Sequence, residues 1–173
     1  MSTVANMSTE ANMSIEANKA LARMAYDLYN DHQSDPAWLD KSLATIAQDC
    51  EVFLVPFGMT LRGHDGYKQF LLGWAEAFPD SSTEITNLFA TEDQAVIEFI
   101  GRGTHTGTLH SPAGDIPATG RKVEFRLCDV RGIKNGKFVS LHQYYDALSF
   151  MQQLGLSHRQ TRLVSKPSLA LCL

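Results

Sequence analysis

Leu21, Met24, Ala25 and Leu28 recur at helical spacing and predict a first amphipathic helix. Asp35-Pro36 reads as a helix cap followed by proline at the first helical position, with Leu39, Leu43, Ile46 and Ala47 as the apolar face behind it. A strand rich in Val and Phe is expected over Glu51–Phe57. Tyr67, Phe70, Leu71, Trp74 and Phe78 then line one side of a third helix, stopped at Pro79. After Pro79 the period changes from that of a helix to that of a strand. Strands are predicted over Thr83–Phe89, Ala95–Leu109, Lys122–Arg131 and Lys137–Tyr145. Thr91–Gln94 and Asn135-Gly136 suit tight hairpin turns, and Ser111–Gly120 suits a longer hairpin loop. A short helix from Ala147, ended by Gly155, closes the pattern. Helices first and antiparallel strands last give an α+β fold rather than a doubly wound sheet.

Both ends fall outside this pattern. Residues 1–18 are one hexad written three times, beginning at Met1, Met7 and Met13. A six-residue repeat fits neither the α-helical period nor the heptad, so residues 1–16 are expected to be a mobile tail. Residues 17–156 form the domain. Residues 157–173 lack clear periodicity, carry Arg159, Arg162 and Lys166, and read as a C-terminal extension.

Charge narrows the partners. With 173 residues and a net charge of −4 the chain has no block of Lys and Arg, which argues against nucleic acid and against an anionic membrane surface. Cys50, Cys128 and Cys172 are odd in number and widely spaced, which fits a reducing compartment rather than a disulfide framework. No secretory signal and no apolar run long enough for a bilayer span is visible, so the expected location is cytoplasmic.

Alternation within the strands then suggests candidate chemistry. Ile97, Phe99, Gly101, Gly103 and His105 share one face of their strand, as do Val123, Phe125, Leu127 and Asp129 of the next. In the last strand Ser140, His142, Tyr144 and Asp146 share a face, but the opposite face holds Val139 and Leu141. Alternation alone therefore leaves open which of the two is the core. A sheet that points His105, Asp129, His142, Tyr144 and Asp146 into one hollow, walled by Trp74, Phe99 and Phe125, would suit acid/base work on carbon. A carboxyl group in an apolar pocket can take a proton from carbon, while His or Tyr holds the developing enolate.

Several motifs, in order, carry a family resemblance. They are Phe78-Pro79-Asp80, Gly103-Thr104-His105-Thr106-Gly107, Pro117-Ala118-Thr119-Gly120-Arg121, Asn135-Gly136-Lys137, Asp146, and Gln152-Gln153-Leu154-Gly155. Over roughly Ala17 to Leu156 the chain resembles SnoaL-like proteins, the polyketide-cyclase branch of the nuclear-transport-factor-2-like superfamily. The resemblance implies a cone of three helices wrapped by a strongly bent antiparallel sheet around a pocket, usually dimeric, with no metal and no organic cofactor. It also implies intramolecular aldol chemistry, with Asp146 as acid/base at the end of the last strand and His105 lining the pocket. His142 stands where relatives often carry Trp.

Those residues also have plainer roles. Asp146 directly precedes the last helix and can be its N-cap. His105 can be a hydrogen-bonded core histidine, and Asp129 can pair with Arg126 or Arg131. The histidines lack metal-ligand spacing. Gly101 and Gly103 run on into strand rather than into a helix, which does not suit a nucleotide. There is no nucleophile elbow, and Lys122 lies on the face opposite the apolar one.

The leading expectation is a cofactor-independent cyclase or isomerase acting α to the carbonyl of a small apolar molecule. Catalysis would fall to Asp146, His105 and His142, and binding to Tyr144, Asp129, Trp74, Phe99 and Phe125. The alternative is a non-catalytic binding or dimeric interaction module of the same fold. Epoxide opening would need Asp146, Asp129 and an arginine in one row, and Arg126 faces the wrong way. If His142 looks inward, Val139 and Leu141 need cover, which suggests a homodimer through the outer sheet face.

Overall fold

The computed structural model describes residues 2–111 and 114–156, with side chains from Met13 onward. The described residues form helices α1 (Ser2–Asn30), α2 (Trp38–Ala44), α3 (Gly63–Ala77) and α4 (Ala147–Gln153). Their strands are β1 (Ile46–Leu54), β2 (Met59–Arg62), β3 (Ser82–Ala90), β4 (Gln94–Thr104), β5 (Lys122–Lys134) and β6 (Lys137–Tyr145). The strands make one curled, unclosed sheet in the order β2-β1-β6-β5-β4-β3. Neighbours pair antiparallel except β1 and β6, which run parallel, so the sheet is mixed.

Register shifts between Ile85 and Asn87 and between Gly132 and Ile133 bend the long strands. At the second, a Cβ on Gly132 would lie 2.5 Å from Ser140 Oγ, so glycine lets the strands close there. Asn135 and Gly136 both take positive φ, 53° and 69°, the backbone of a tight hairpin turn.

The first helix differs from the sequence expectation at both its start and its face. It runs back through the hexads to Ser2. No Gly or Pro interrupts residues 2–30, and Ala, Met and Glu are good helix formers. Its buried face is Ala22, Ala25 and Tyr26, whereas Met24 is exposed. The Asn18 amide donates to the carbonyls of Thr91 and Glu92 at 2.8 and 3.0 Å, tying the helix to the β3–β4 turn. The second helix is shorter than the pattern implied: Ile46 and Ala47 already belong to β1. The extension 157–173 lies outside the described residues.

The motif residues build joints between elements. Asp80 accepts from both the backbone N–H and the hydroxyl of Thr104, each at 2.6 Å. Thr106 and Gly107 donate backbone N–H bonds to the carbonyl of Ala77, the last residue of α3. Gln153 pairs with the Glu124 backbone in both directions, at 2.8 and 2.9 Å, and fixes α4 on the edge of β5.

Candidate active site

The sheet's inner face is settled by β6. Leu141 is fully buried, Gln143 is 3% exposed, and Tyr145 points the same way, while His142 and Tyr144 are exposed. The face carrying His142, Tyr144 and Asp146 is therefore the outer one. Alternation could not decide this, because a strand's two faces exchange on a shift of one residue and both carried mixed chemistry here. The expected inward placement of these three residues is corrected accordingly. Leu141 is covered by the chain's own core, which removes the argument for covering it with another chain.

Asp146 is the exposed N-cap of α4, and its Oδ1 accepts from Ser149 N at 3.1 Å. His142 packs edge-on against Phe53, 5.6 Å between ring centres. On this geometry Asp146→Ala should cost about 1 kcal/mol in urea unfolding, and Asp146→Asn, which still caps, much less.

A different polar cluster occupies the inner face. Alternation along β5 runs Val123, Phe125, Leu127, Asp129 and on to Arg131, and places the last two side by side in the core, 1% and 4% exposed. Across the ladder Asp129 faces Gln143 of β6. Tyr26 of α1 and Tyr67 of α3 complete the group. The Asp129 carboxylate accepts from three donors: Tyr26 Oη to Oδ2 at 2.6 Å, Arg131 Nη2 to Oδ2 at 3.1 Å, and Gln143 Nε2 to Oδ1 at 3.2 Å. A carboxylate has about four lone-pair sites, so Oδ1 retains room for one more donor.

Burial, then the Asp129 charge, raises the Tyr26 pKa well above its ordinary value, so its hydroxyl keeps the proton it donates. Arg131 Nη1 donates to Tyr67 Oη at 3.3 Å, which leaves the Tyr67 proton free to point elsewhere. The Arg131 Nε–H is buried with no hydrogen-bond partner among the described residues. The guanidinium lies 4.7 Å from the Phe138 ring centre and 5.3 Å from that of Tyr26.

This cluster lines a cavity of about 70 Å³. Asp129, Arg131, Tyr26, Tyr67 and Gln143 contribute its polar wall, and Trp74, Phe99 and Phe125 part of its apolar wall. Gly101 lies in the same lining, where a Cβ would come within 3.1 Å of Leu127. The cavity extends to half-exposed Arg102, near the Tyr29–Ser81 hydroxyl pair at 2.8 Å. Four residues expected in the site, Asp129, Trp74, Phe99 and Phe125, thus meet around one hollow. Tyr26, Tyr67, Arg131 and Gln143 were not anticipated there. For Arg131 the signal was one further step of the β5 alternation.

His105 is fully buried but is not part of that lining. Its Nδ1 accepts from Thr119 N at 3.3 Å, with Thr119 Oγ1 at 3.1 Å, which puts the ring proton on Nε2. The ring stacks at a tilt on Phe78, 5.1 Å between centres. Loss of solvent lowers its pKa below the ordinary 6.5. The unfolded chain therefore takes up this proton more readily than the folded one, and stability is lost as pH falls from above 6.5 through the lower folded value. Urea unfolding should show a smaller stability loss between neutral and mildly acidic pH in His105→Gln than in the parent protein.

Among the described residues no group of three His, Cys, Asp or Glu is arranged to hold a metal ion. Nor is any helix among them long and apolar enough to cross a membrane.

A curled, unclosed six-stranded sheet folded over helices is the α+β cone fold of nuclear-transport-factor-2-like proteins. The family model for SnoaL-like polyketide cyclases matches residues 19–154, and the chain belongs to that family. Among solved structures it is similar to a candidate SnoaL-like polyketide cyclase from Jannaschia sp. CCS1, with 16% identity, 81% of this chain and 92% of that one covered, and a TM-score of 0.70. TsrD from Streptomyces laurentii is 26% identical over 82% of this chain and 96% of its own, with a TM-score of 0.65. A candidate ketosteroid isomerase from Kribbella flavida DSM 17836 shares the fold at 16% identity, covering 76% and 79% of the two chains with a TM-score of 0.57. A search of curated proteins gives no match.

Proposed function

We propose that this protein catalyses cofactor-independent acid/base chemistry α to the carbonyl of a small apolar molecule, with Asp129 rather than Asp146 as the acid/base. The observation that carries this reading is the Asp129 carboxylate at the cavity wall with one acceptor position on Oδ1 still open. Asp129 takes a proton from the α-carbon, and the electron pair moves into an enolate. Tyr67, in the same lining and with its hydroxyl proton free, holds the enolate oxygen. The enolate carbon then attacks a second carbonyl of the same molecule, forming a C–C bond whose alkoxide takes the proton back from Asp129; where the enolate is conjugated with a C=C bond, Asp129 instead returns the proton to the far carbon of that dienolate. Membership of the SnoaL-like family supports the reaction class.

The apolar walls strengthen each of these interactions, because charge in a water-poor cavity is weakly screened. One observation favours the alternative of a binding module: Arg131 already neutralises Asp129. Proton exchange separates the two readings. The protein should incorporate deuterium at the α-carbon of 2-tetralone in D₂O faster than buffer or a heat-denatured sample does. An unchanged rate would leave the binding module as the better reading.

A further inference from the structure

Helix α3 carries glycine at two interior positions, Gly66 and Gly73, although glycine weakens a helix more than any residue except proline. Gly66 has a packing reason. A Cβ there would lie 2.8 Å from the backbone carbonyl carbon of Leu61, so glycine lets α3 and β2 close. Gly73 has no such reason, since a Cβ on it would meet nothing within 4 Å among the described residues. Its φ is not positive either, so its backbone suits any residue. Alanine would fit the fold here and strengthen the helix. What Gly73 does face is a second hollow, of about 470 Å³, which it helps to line. This hollow adjoins the inner cavity and shares Phe70, Trp74 and Gln143 with it. Its wall is mostly apolar, with Leu54 and Met59 from β1 and β2 and Phe150 and Met151 from α4.

Glycine therefore leaves a notch in the side of α3 where it borders the hollow. An apolar ring can lie there directly on the helix backbone, in space that any side chain would fill. The inner cavity, about 70 Å³, is well below the roughly 300–1,000 Å³ of ordinary ligand pockets, whereas the outer hollow falls within that range. A ligand that reaches Asp129 thus has room for its bulk only in the outer hollow. We propose that Gly73 is a specificity-determining residue, which keeps the outer hollow open for an apolar ring of the substrate lying against α3. This rests on the reading of the inner cavity as the reaction site. It makes the substrate a ketone that carries an aryl or similarly flat group on the side away from its reacting carbon.

The test is a calorimetric titration with 2-tetralone and 6-phenyl-2-tetralone, which differ by one ring on the side away from the carbonyl. The parent protein should bind 6-phenyl-2-tetralone at least about tenfold more tightly, because the added ring is buried. Gly73→Leu should lose about tenfold in affinity for 6-phenyl-2-tetralone, the scale of overpacking. The same variant should bind 2-tetralone within about twofold of the parent, since that ketone ends short of α3 at this point. Gly73→Ala should weaken 6-phenyl-2-tetralone by about threefold and raise the melting temperature by a few degrees, because alanine favours the helix. Equal binding of the two ketones by the parent, no binding of 6-phenyl-2-tetralone, or equal weakening of both in Gly73→Leu would overturn the proposal. So would unchanged binding of the larger ketone in Gly73→Leu, or a lower melting temperature in Gly73→Ala, which would mean that the fold itself requires the glycine. If Gly73→Leu fails to fold, Gly73→Ala supplies the same comparison on a smaller scale. Affinity is read without turnover, so its failure and a failure of α-carbon exchange are separate results.

Discussion

Asp129→Asn is expected to destabilise the protein by about 3–5 kcal/mol, the cost of leaving a buried charge without its partner. Arg131 is 4% exposed and its counter-charge is Asp129, 3.1 Å away, with no other carboxylate paired with it among the described residues. The neutral amide removes that charge. It also turns one acceptor into a donor, which must then face Gln143 Nε2 on one side or Tyr26 Oη and Arg131 Nη2 on the other. Urea unfolding measures the loss. Removing both charges together behaves differently: Asp129→Leu combined with Arg131→Met should recover most of the stability, because an apolar pair of similar volume leaves no charge stranded. A double variant as unstable as the single one would mean that the cluster stabilises the fold through its hydrogen bonds rather than through charge balance.

Gly107→Ala is expected to cost about 2–4 kcal/mol, at the upper end of what overpacking does. A Cβ at Gly107 would lie 1.9 Å from the carbonyl oxygen of Glu76 and 2.9 Å from its carbonyl carbon. Both are backbone atoms in the last turn of α3, so no side chain can rotate out of the way. The segment after β4 would have to lift, breaking the bonds from Thr106 and Gly107 to Ala77 O at 3.2 and 3.1 Å. Differential scanning calorimetry would show this as a fall in melting temperature of several degrees or more. A melting temperature close to the parent's would mean that this segment is not pinned to the helix.

The contrast between Gly107 and Asp129 explains what could be read from the sequence. The ordered motifs are joints of the frame. Asp80 holds Thr104, Gly107 passes close to α3, Gln153 pairs with Glu124, and a Cβ at Gly155 would strike Arg121. Each depends on a short local geometry that few residue types allow, so these positions carry strong local signals and the α+β cone was legible from them. The inner cluster has no such signal. It draws on α1, α3, β5 and β6, with 103 residues between Tyr26 and Asp129, and comes together only in the folded chain. Asp146 drew attention because it sits at a strand end beside a helix start, and the geometry there is that of a cap. β2 has no counterpart among the strands expected from the sequence for a similar reason: Met59–Arg62 is too short a run for alternation to show. The parallel pairing of β1 with β6 was equally invisible, because pairing direction between distant strands leaves no mark on either.

The most direct test of the central claim asks which carboxylate moves the proton. Deuterium incorporation at the α-carbon of 2-tetralone in D₂O, followed by proton NMR, should be fastest with the parent protein. Asp146→Asn should exchange within about twofold of the parent, since its capping position on the outer face touches no part of the cavity. Asp129→Asn, studied at a temperature and denaturant concentration where circular dichroism shows it folded, should fall to the buffer rate. Exchange that survives Asp129→Asn, or that is lost in Asp146→Asn, would contradict the account.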